Sequence, residues 1–184
     1  KLNNVRMLVA KVAEGDKVLT EVFSKDRTHA QLVQRSEHVV RVLMEQELLT
    51  VDNRQLIWDA SEMNDADIKT ELLKALIGAA SSMNQADREF FIGKVEQVQL
   101  PDMIDRHIQL VTEICTTIKK DKASGEFFEQ VIGSGLQLLW KVAMESGSAC
   151  ELRIIDRAAS GFAAIVEEQD MTTMLEFIDK LVEC

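Results

Sequence analysis

Apolar residues recur at helical spacing along almost the whole chain. Val5, Leu8, Val9 and Val12 are separated by three, four and seven positions, which places their side chains on one face of an α-helix. The same spacing returns in later segments between short polar breaks, and we find no convincing stretch with the strict alternation of a β-strand. A single Pro and 5% aromatic residues also fit β-rich folds poorly. The pattern therefore predicts an all-α chain of about ten helices with short connections.

Capping residues and breaks place the helix boundaries. The first helix is predicted over residues 4–14 and the last from about Met171. The helix predicted from Thr28 to Gln46 should bury Leu32, Val39, Val42 and Leu43 and leave Arg35, Glu37 and Arg41 in water. Further predicted starts or caps are Asp16, Asp52, Asn64 or Asp65, Asn84, and Pro101 in a first helical turn.

An internal echo indicates how these helices are organised. Residues 56–60 (Leu-Ile-Trp-Asp-Ala) resemble residues 138–142 (Leu-Leu-Trp-Lys-Val), which begin 82 positions later, or twice 41. Gly78 and Gly161, each in a patch of small residues, follow Trp58 and Trp140 by 20 and 21 positions. A period of about 40–47 residues is typical of HEAT and armadillo repeats, whose helices leave an apolar face that the next repeat covers. The echo favours a HEAT/armadillo-like α-α superhelix over a closed bundle.

Charge and cysteine content narrow the class of partner and the compartment. The formal net charge is -10, which disfavours nucleic acid and anionic membrane surfaces and favours basic or neutral proteins. No apolar run approaches the roughly 20 residues that a membrane-spanning helix needs. Cys115, Cys150 and Cys184 are odd in number and lack CxxC spacing. We therefore expect reduced thiols in a cytosolic or nuclear protein.

His107 and Cys115 form the only nearby His/Cys pair in the sequence, so they are the candidates for nucleophilic catalysis. His107 and Cys115 lie eight residues apart on one predicted helix, so their directions differ by about 80° and their Cα atoms by about 12 Å. A thiolate and its base must approach within hydrogen-bond distance. Cys115 is therefore interpreted as a small buried hydrophobe.

Other chemical signals are incomplete. His29 and His38 have no Cys or carboxylate at metal-ligand spacing. Residues 64–69 hint at a calcium loop, but Lys69 occupies a ligand position and helix capping is the better interpretation. Residues 133–135 (Gly-Ser-Gly) lack the strand and Lys of a phosphate-binding loop and favour close helix packing instead. Both tryptophans fall at the buried phase of their helices. We predict no catalytic, cofactor-binding or metal-binding residue and no cofactor.

The stretch 48–60 resembles a family pattern in which a helix ends in an apolar-Thr turn and the next helix carries an aliphatic pair and Trp. Here these features are Leu49, Thr50, Leu56, Ile57 and Trp58. The likeness continues through residues 72–76, 84–91 and 136–140, so it spans roughly residues 36–165. Over this span the chain is similar to the helical region preceding the catalytic domain of large ubiquitin-specific proteases of the fat-facets type. That resemblance implies a parent polypeptide that removes ubiquitin with a Cys-box and a His-box, neither of which is present here. It also implies that this region acts as a scaffold or a substrate-recruiting surface.

The leading hypothesis is a single helical-repeat segment, residues 1–184, excised from a longer polypeptide. It would be a noncatalytic scaffold of a large deubiquitinase and would recruit protein partners or ubiquitinated substrates. One alternative is a HEAT/armadillo-like adaptor in an unrelated protein complex. A second is a helical hydrolase whose site the sequence does not reveal. The sequence indicates neither the binding surface nor the oligomeric state.

Overall fold

The structure, a computed structural model, describes residues 16–23, 30–62, 66–118, 125–167 and 175, and most of these residues are helical. No β-strand occurs in these ranges, which hold eight α-helices. The helices are α1 (Asp16–Phe23), α2 (Ala30–Glu45), α3 (Val51–Ser61), α4 (Ala66–Ala79), α5 (Gln85–Glu96), α6 (Asp105–Thr116), α7 (Gly125–Trp140) and α8 (Leu152–Glu167). The predicted all-α repeat fold is confirmed. The helix predicted over 4–14 lies outside the described residues, as does the last one apart from residue 175.

The chain divides into two compact units, residues 1–90 and 91–184, at a point within α5. In the first unit α2 packs most extensively against α4, while α3 packs against α4 and α1. In the second unit α6 packs most extensively against α8, while α7 contacts both. Each unit therefore contains a trio whose first and third helices pack together. Because α3 and α7 carry the two Trp motifs, the internal echo in the sequence corresponds to this repeated packing.

The buried face of α2 differs from the predicted one. Leu43 is buried as predicted, but Val42 is 38% exposed and Val39 only partly buried, and the structure buries Val40 and Met44 instead. Glu37 and Arg41 are also partly buried rather than left in water. Neighbouring residues of a helix differ by about 100° in direction, so paired apolar residues allow two faces at similar local cost. Packing of α2 against α4 selects the face with Val40 and Met44. The side chains of Leu32 and Arg35 lie outside the described part.

Helix ends follow from local chemistry, with two corrections. Thr50, rather than Asp52, caps α3: its Oγ1 accepts the backbone N–H of Asn53 at 3.2 Å, and Asn53 Oδ1 accepts the backbone N–H of Thr50 at 3.2 Å. This reciprocal pair satisfies two donors, whereas Asp52 serves as a first-turn acid. Pro101 lies in a separate 3₁₀ turn, Leu100–Asp102, and not in the first turn of α6. The cap predicted at Asn84 is confirmed, because its Oδ1 accepts the N–H of Asp87 at 3.0 Å.

The second unit has a core of fully buried aliphatic side chains. They include Ile108, Val111 and Ile114 on α6 and Leu136 and Leu139 on α7. A π-helical turn, Lys141–Glu145, follows α7 and packs against α8. Leu152, the first residue of α8, is 79% exposed. Within the ranges described above, no helix combines the length and apolar character that crossing a bilayer requires.

Candidate functional site

The residues with the most chemically suggestive side chains lie inside the core. His107 and Cys115 are both 0% exposed on α6. His107 Nδ1 accepts the backbone N–H of Ile104 at 3.3 Å, and Cys115 Sγ is 3.9 Å from the carbonyl oxygen of Val131 on α7. These contacts tie each side chain to neighbouring backbone. The interpretation of Cys115 as a buried hydrophobe is confirmed by its position.

The histidine and calcium-loop signals correspond to ordinary helix chemistry where the structure describes them. His38 is exposed, and its Nδ1 lies 2.7 Å from a guanidinium nitrogen of Arg41; His29 falls outside the described residues. Residues 64 and 65 of the calcium-like stretch also lie outside, whereas Lys69 belongs to α4 and pairs with Glu62 at 3.2 Å. The described part of that stretch is therefore a helix start.

Two glycines mark close helix approaches. A Cβ atom at Gly135 would press on Cys115 Sγ of α6, and one at Gly161 would press on Thr112 Oγ1 of the same helix. The close-packing interpretation of the Gly-Ser-Gly stretch is thus confirmed at Gly135. Small residues there let α7 and α8 lie near α6 without strain.

The tryptophans pack within their own units. Trp58 is 5% exposed on α3, as predicted. Trp140 is only partly buried at the end of α7, where its ring centroid lies 5.7 Å from that of Phe162 on α8 at an interplanar angle of 52°. Such tilted aromatic pairs stabilise helix contacts by about 0.5–1.5 kcal/mol. Trp140 therefore supports the α7–α8 contact from the edge of the core.

A buried ion pair, not foreseen from the sequence, joins α3 to α5. Arg54 Nε lies 2.6 Å from Asp87 Oδ1, and the two side chains are 8% and 0% exposed. The second oxygen, Asp87 Oδ2, accepts the backbone N–H of Asn84 at 3.2 Å. Asp87 lies in the first turn of α5, where the helix dipole favours a negative charge. The structure gives Asp87 a second role, because it also neutralises a buried arginine.

The connection between α2 and α3 forms a well-defined surface, which we call the α2–α3 corner (residues 42–52). At its start the N–H of Leu48 donates to the carbonyl of Leu43, and that of Glu47 donates to Met44, both at 2.9 Å. This is the hydrogen-bond pattern of a Schellman motif, with Glu47 at the left-handed position that usually holds Gly (φ 56°). The capping box of Thr50 fixes the other end. Both ends of the connection are therefore held by specific hydrogen bonds.

The α2–α3 corner exposes aliphatic side chains and acidic groups together. Val42, Leu48 and Val51 are 38%, 36% and 64% exposed, which makes three of the six large apolar side chains that are exposed in the described part of the chain. The exposed acids of the corner are Glu45, Glu47 and Asp52. Residues 42–52 contain no Lys or Arg. The corner is therefore an apolar surface with an acidic rim formed by Glu45, Glu47 and Asp52, of which Glu45 also accepts a hydrogen bond from Ser82 Oγ at 3.3 Å.

The second unit carries a small cleft beside the α5–α6 connection. Its volume is about 280 Å³, and its walls include Glu96, Leu100, Pro101 and Lys141. Cys150 Sγ donates to the carbonyl oxygen of Leu100 at 3.1 Å and so ties the connection after the π-helical turn to this wall. Small-molecule sites usually measure about 300–1,000 Å³. The cleft thus has room for a partner's side chain more readily than for a large ligand.

The electrostatics of this cleft centre on Glu96. Burial of part of its side chain raises the pKa of Glu96 above the ordinary 4.5, because removal from water disfavours the charged carboxylate. The positive charge of Lys141 acts in the opposite direction and lowers the pKa, but by less. Much of the Glu96 side chain stays in contact with water, so this effect is a local one.

Comparison with known proteins places these features in a family. A family model described as the UBP24/USP9X/USP9Y ARM repeat matches residues 8–184. Searches of curated proteins and of solved structures find no match. The matched residues include both helix trios, the α2–α3 corner and the cleft. The chain therefore belongs to the ARM-repeat family of the ubiquitin-specific proteases UBP24, USP9X and USP9Y and forms a helical scaffold region of that class of deubiquitinase.

Proposed function

We propose that this segment recruits protein substrates or partners for a deubiquitinase while taking no part in peptide-bond chemistry. The observation that carries the proposal is the family match over residues 8–184, together with the repeated trios of helices. Stacked helical repeats present extended surfaces that bind proteins. The match also favours a deubiquitinase scaffold over an adaptor in an unrelated complex.

The position of the potential nucleophiles supports a noncatalytic role. Cys115 is 0% exposed and lies against α7, and Cys150 donates to a backbone carbonyl at the cleft wall. A catalytic thiol needs a neighbouring base and access to substrate. We expect the 184-residue chain alone to leave a ubiquitin-conjugate probe uncleaved. Turnover that disappears when Cys115, Cys150 and Cys184 are all replaced by Ser would contradict the noncatalytic assignment.

Charge and thiol chemistry support a proposed compartment and partner class. Cys150 is a free thiol and the three cysteines show no CxxC spacing, which supports a reducing cytosolic or nuclear location. The net charge of -10 supports proteins rather than nucleic acid as partners.

Competition with the intact enzyme tests recruitment directly. An excess of the 184-residue chain should occupy the shared partner and slow cleavage of its ubiquitin conjugate by the full-length deubiquitinase. Cleavage of a small fluorogenic ubiquitin substrate, which carries no partner protein, should stay unchanged in the same mixture. Equal inhibition of both substrates, or of neither, would refute recruitment through this segment.

A further inference from the structure

We propose that the α2–α3 corner is a docking surface for a basic, amphipathic segment of a partner protein. The inference rests on the proposed role as an interaction segment and narrows it to one surface and one partner chemistry. The exposed aliphatic side chains Val42, Leu48 and Val51 define the surface. The charges around them select the occupant.

Charge complementarity selects a basic occupant. Glu45, Glu47 and Asp52 are exposed, with no Lys or Arg between residues 42 and 52. Of the two arginines that flank the corner, Arg54 is buried with Asp87, whereas Arg41 lies against His38 and keeps one positive charge beside the three acids. A partner with Lys or Arg beside aliphatic side chains would meet both the apolar surface and its acidic rim, whereas an acidic segment would be repelled.

The corner is ordered before binding, which favours affinity. The Schellman hydrogen bonds of Leu48 and Glu47 and the capping box of Thr50 hold both ends of the connection. A surface that is already in its bound conformation loses little conformational entropy when a partner docks. Val51, the first residue of α3 and 64% exposed, is the side chain with the most area left to bury.

Replacement of Glu47 distinguishes a role in binding from a role in the backbone conformation of the corner. It has a positive φ of 56°, the only non-Gly residue with one in the part of the chain that the structure describes. Glycine adopts this conformation without steric cost, so Glu47→Gly should raise the Tm. The same change removes one acid from the rim and should weaken binding of a basic partner about twofold to fivefold. A residue with only a structural role would not show this opposite movement.

The test uses the 184-residue chain and a fluorescent synthetic peptide with Leu along one helical face and Lys on the other. We expect binding that weakens with added salt, about tenfold weaker binding for Val51→Ser, and no binding of a matched peptide with Glu in place of Lys. Leu152→Ser is the matched control, since Leu152 is also an exposed aliphatic residue at a helix start, in the other unit. It should leave the affinity unchanged.

Three results would overturn the proposal. They are equal affinity for the Lys and Glu peptides, equal losses from Val51→Ser and Leu152→Ser, and an unchanged affinity for Glu47→Gly. No ubiquitin enters this measurement. If the peptide binds as expected and the competition with conjugate cleavage fails, the docking surface stands and the recruitment function falls. Failure of peptide binding alone removes this surface and leaves recruitment to be served by another.

Discussion

Breaking the buried pair between Arg54 and Asp87 should be among the most damaging single changes in the first unit. Asp87→Ala would leave the guanidinium of Arg54, whose side chain is 8% exposed, without its carboxylate 2.6 Å away. Loss of one partner of a buried ion pair costs about 3–5 kcal/mol, because the remaining charge stays away from water. Since small domains have free energies of unfolding of about 5–15 kcal/mol, this loss is a large fraction of the total.

Urea unfolding followed by far-ultraviolet circular dichroism measures the effect. The matched control is Asp105→Ala, which breaks the pair between Asp105 and Arg157 at 2.9 Å, with side chains 24% and 51% exposed. An exposed pair contributes about 0.2–1 kcal/mol, so this control should unfold almost as the native protein does. Equal losses from Asp87→Ala and Asp105→Ala would refute the reasoning, because burial would then make no difference.

A double replacement distinguishes the charge from the space it occupies. Arg54→Met together with Asp87→Leu removes both charges and keeps apolar volume in place. The double variant should lose less stability than Asp87→Ala alone. Some loss should remain, since Asp87 Oδ2 also accepts the N–H of Asn84, and a helix cap of this kind contributes about 1 kcal/mol. If the stability losses of the single variants Arg54→Met and Asp87→Leu simply add in the double variant, the two residues are not coupled.

Four further predictions use the same unfolding assay or a titration. Gly135→Ala should destabilise the protein by about 1–3 kcal/mol, because the new Cβ would press on the buried sulfur of Cys115. The control Gly93→Ala has open space around its Cβ and should stabilise the protein by about 0.4–1 kcal/mol. Similar effects of the two changes would be inconsistent with close packing of α6 and α7. Thr50→Ala should cost about 1 kcal/mol through loss of the α3 cap, and an unchanged stability would argue against the capping box. The folded state holds the proton of Glu96 to a higher pH than the unfolded state, so stability falls as pH rises from 4.5 through the raised pKa, and Glu96→Gln should remove that fall. Lys141→Gln should raise the pKa of Glu96 further in an NMR titration, and a lowered pKa would contradict the assigned cause.

Local chemistry made much of the fold predictable. Helical spacing predicted the all-α class, and the cap at Asn84 predicted the start of α5 within a residue. The Trp-centred echo anticipated that two similar groups of helices would occur. These features depend on residues close in sequence, where backbone hydrogen bonding and helical periodicity act.

Features that depend on contacts between residues distant in the chain could not be predicted from the sequence. Nothing in the spacing of Arg54 and Asp87 shows that residues 33 positions apart form a buried pair. The face that α2 buries is decided by its contact with α4, and neighbouring Val39 and Val40 fit either choice locally. Thr50 and Asp52 are both good caps, and only the reciprocal bonds with Asn53 select Thr50.

The candidate surface was partly visible in the sequence. The acidic excess predicted basic or neutral protein partners, but it did not indicate where they bind. Val42 and Leu48 fall in an apolar run that also contains core residues such as Leu43 and Leu49. Only packing shows which members of that run are left exposed. The position of the binding surface could therefore be found only in the structure, whereas its acidic character was predictable from the sequence.

The most direct test of the repeat packing is a disulfide between the first and third helices of the second trio. A Cβ built at Gly161 on α8 lies 3.5 Å from the Cβ of Thr112 on α6, within the range of about 3.5–4.5 Å found in disulfides. Mass spectrometry of the Thr112→Cys, Gly161→Cys double variant after mild oxidation reports whether the bond forms. Armadillo-type packing predicts a bond between positions 112 and 161 in the folded protein. Two thiols that stay unpaired, or pair only after unfolding, would contradict it.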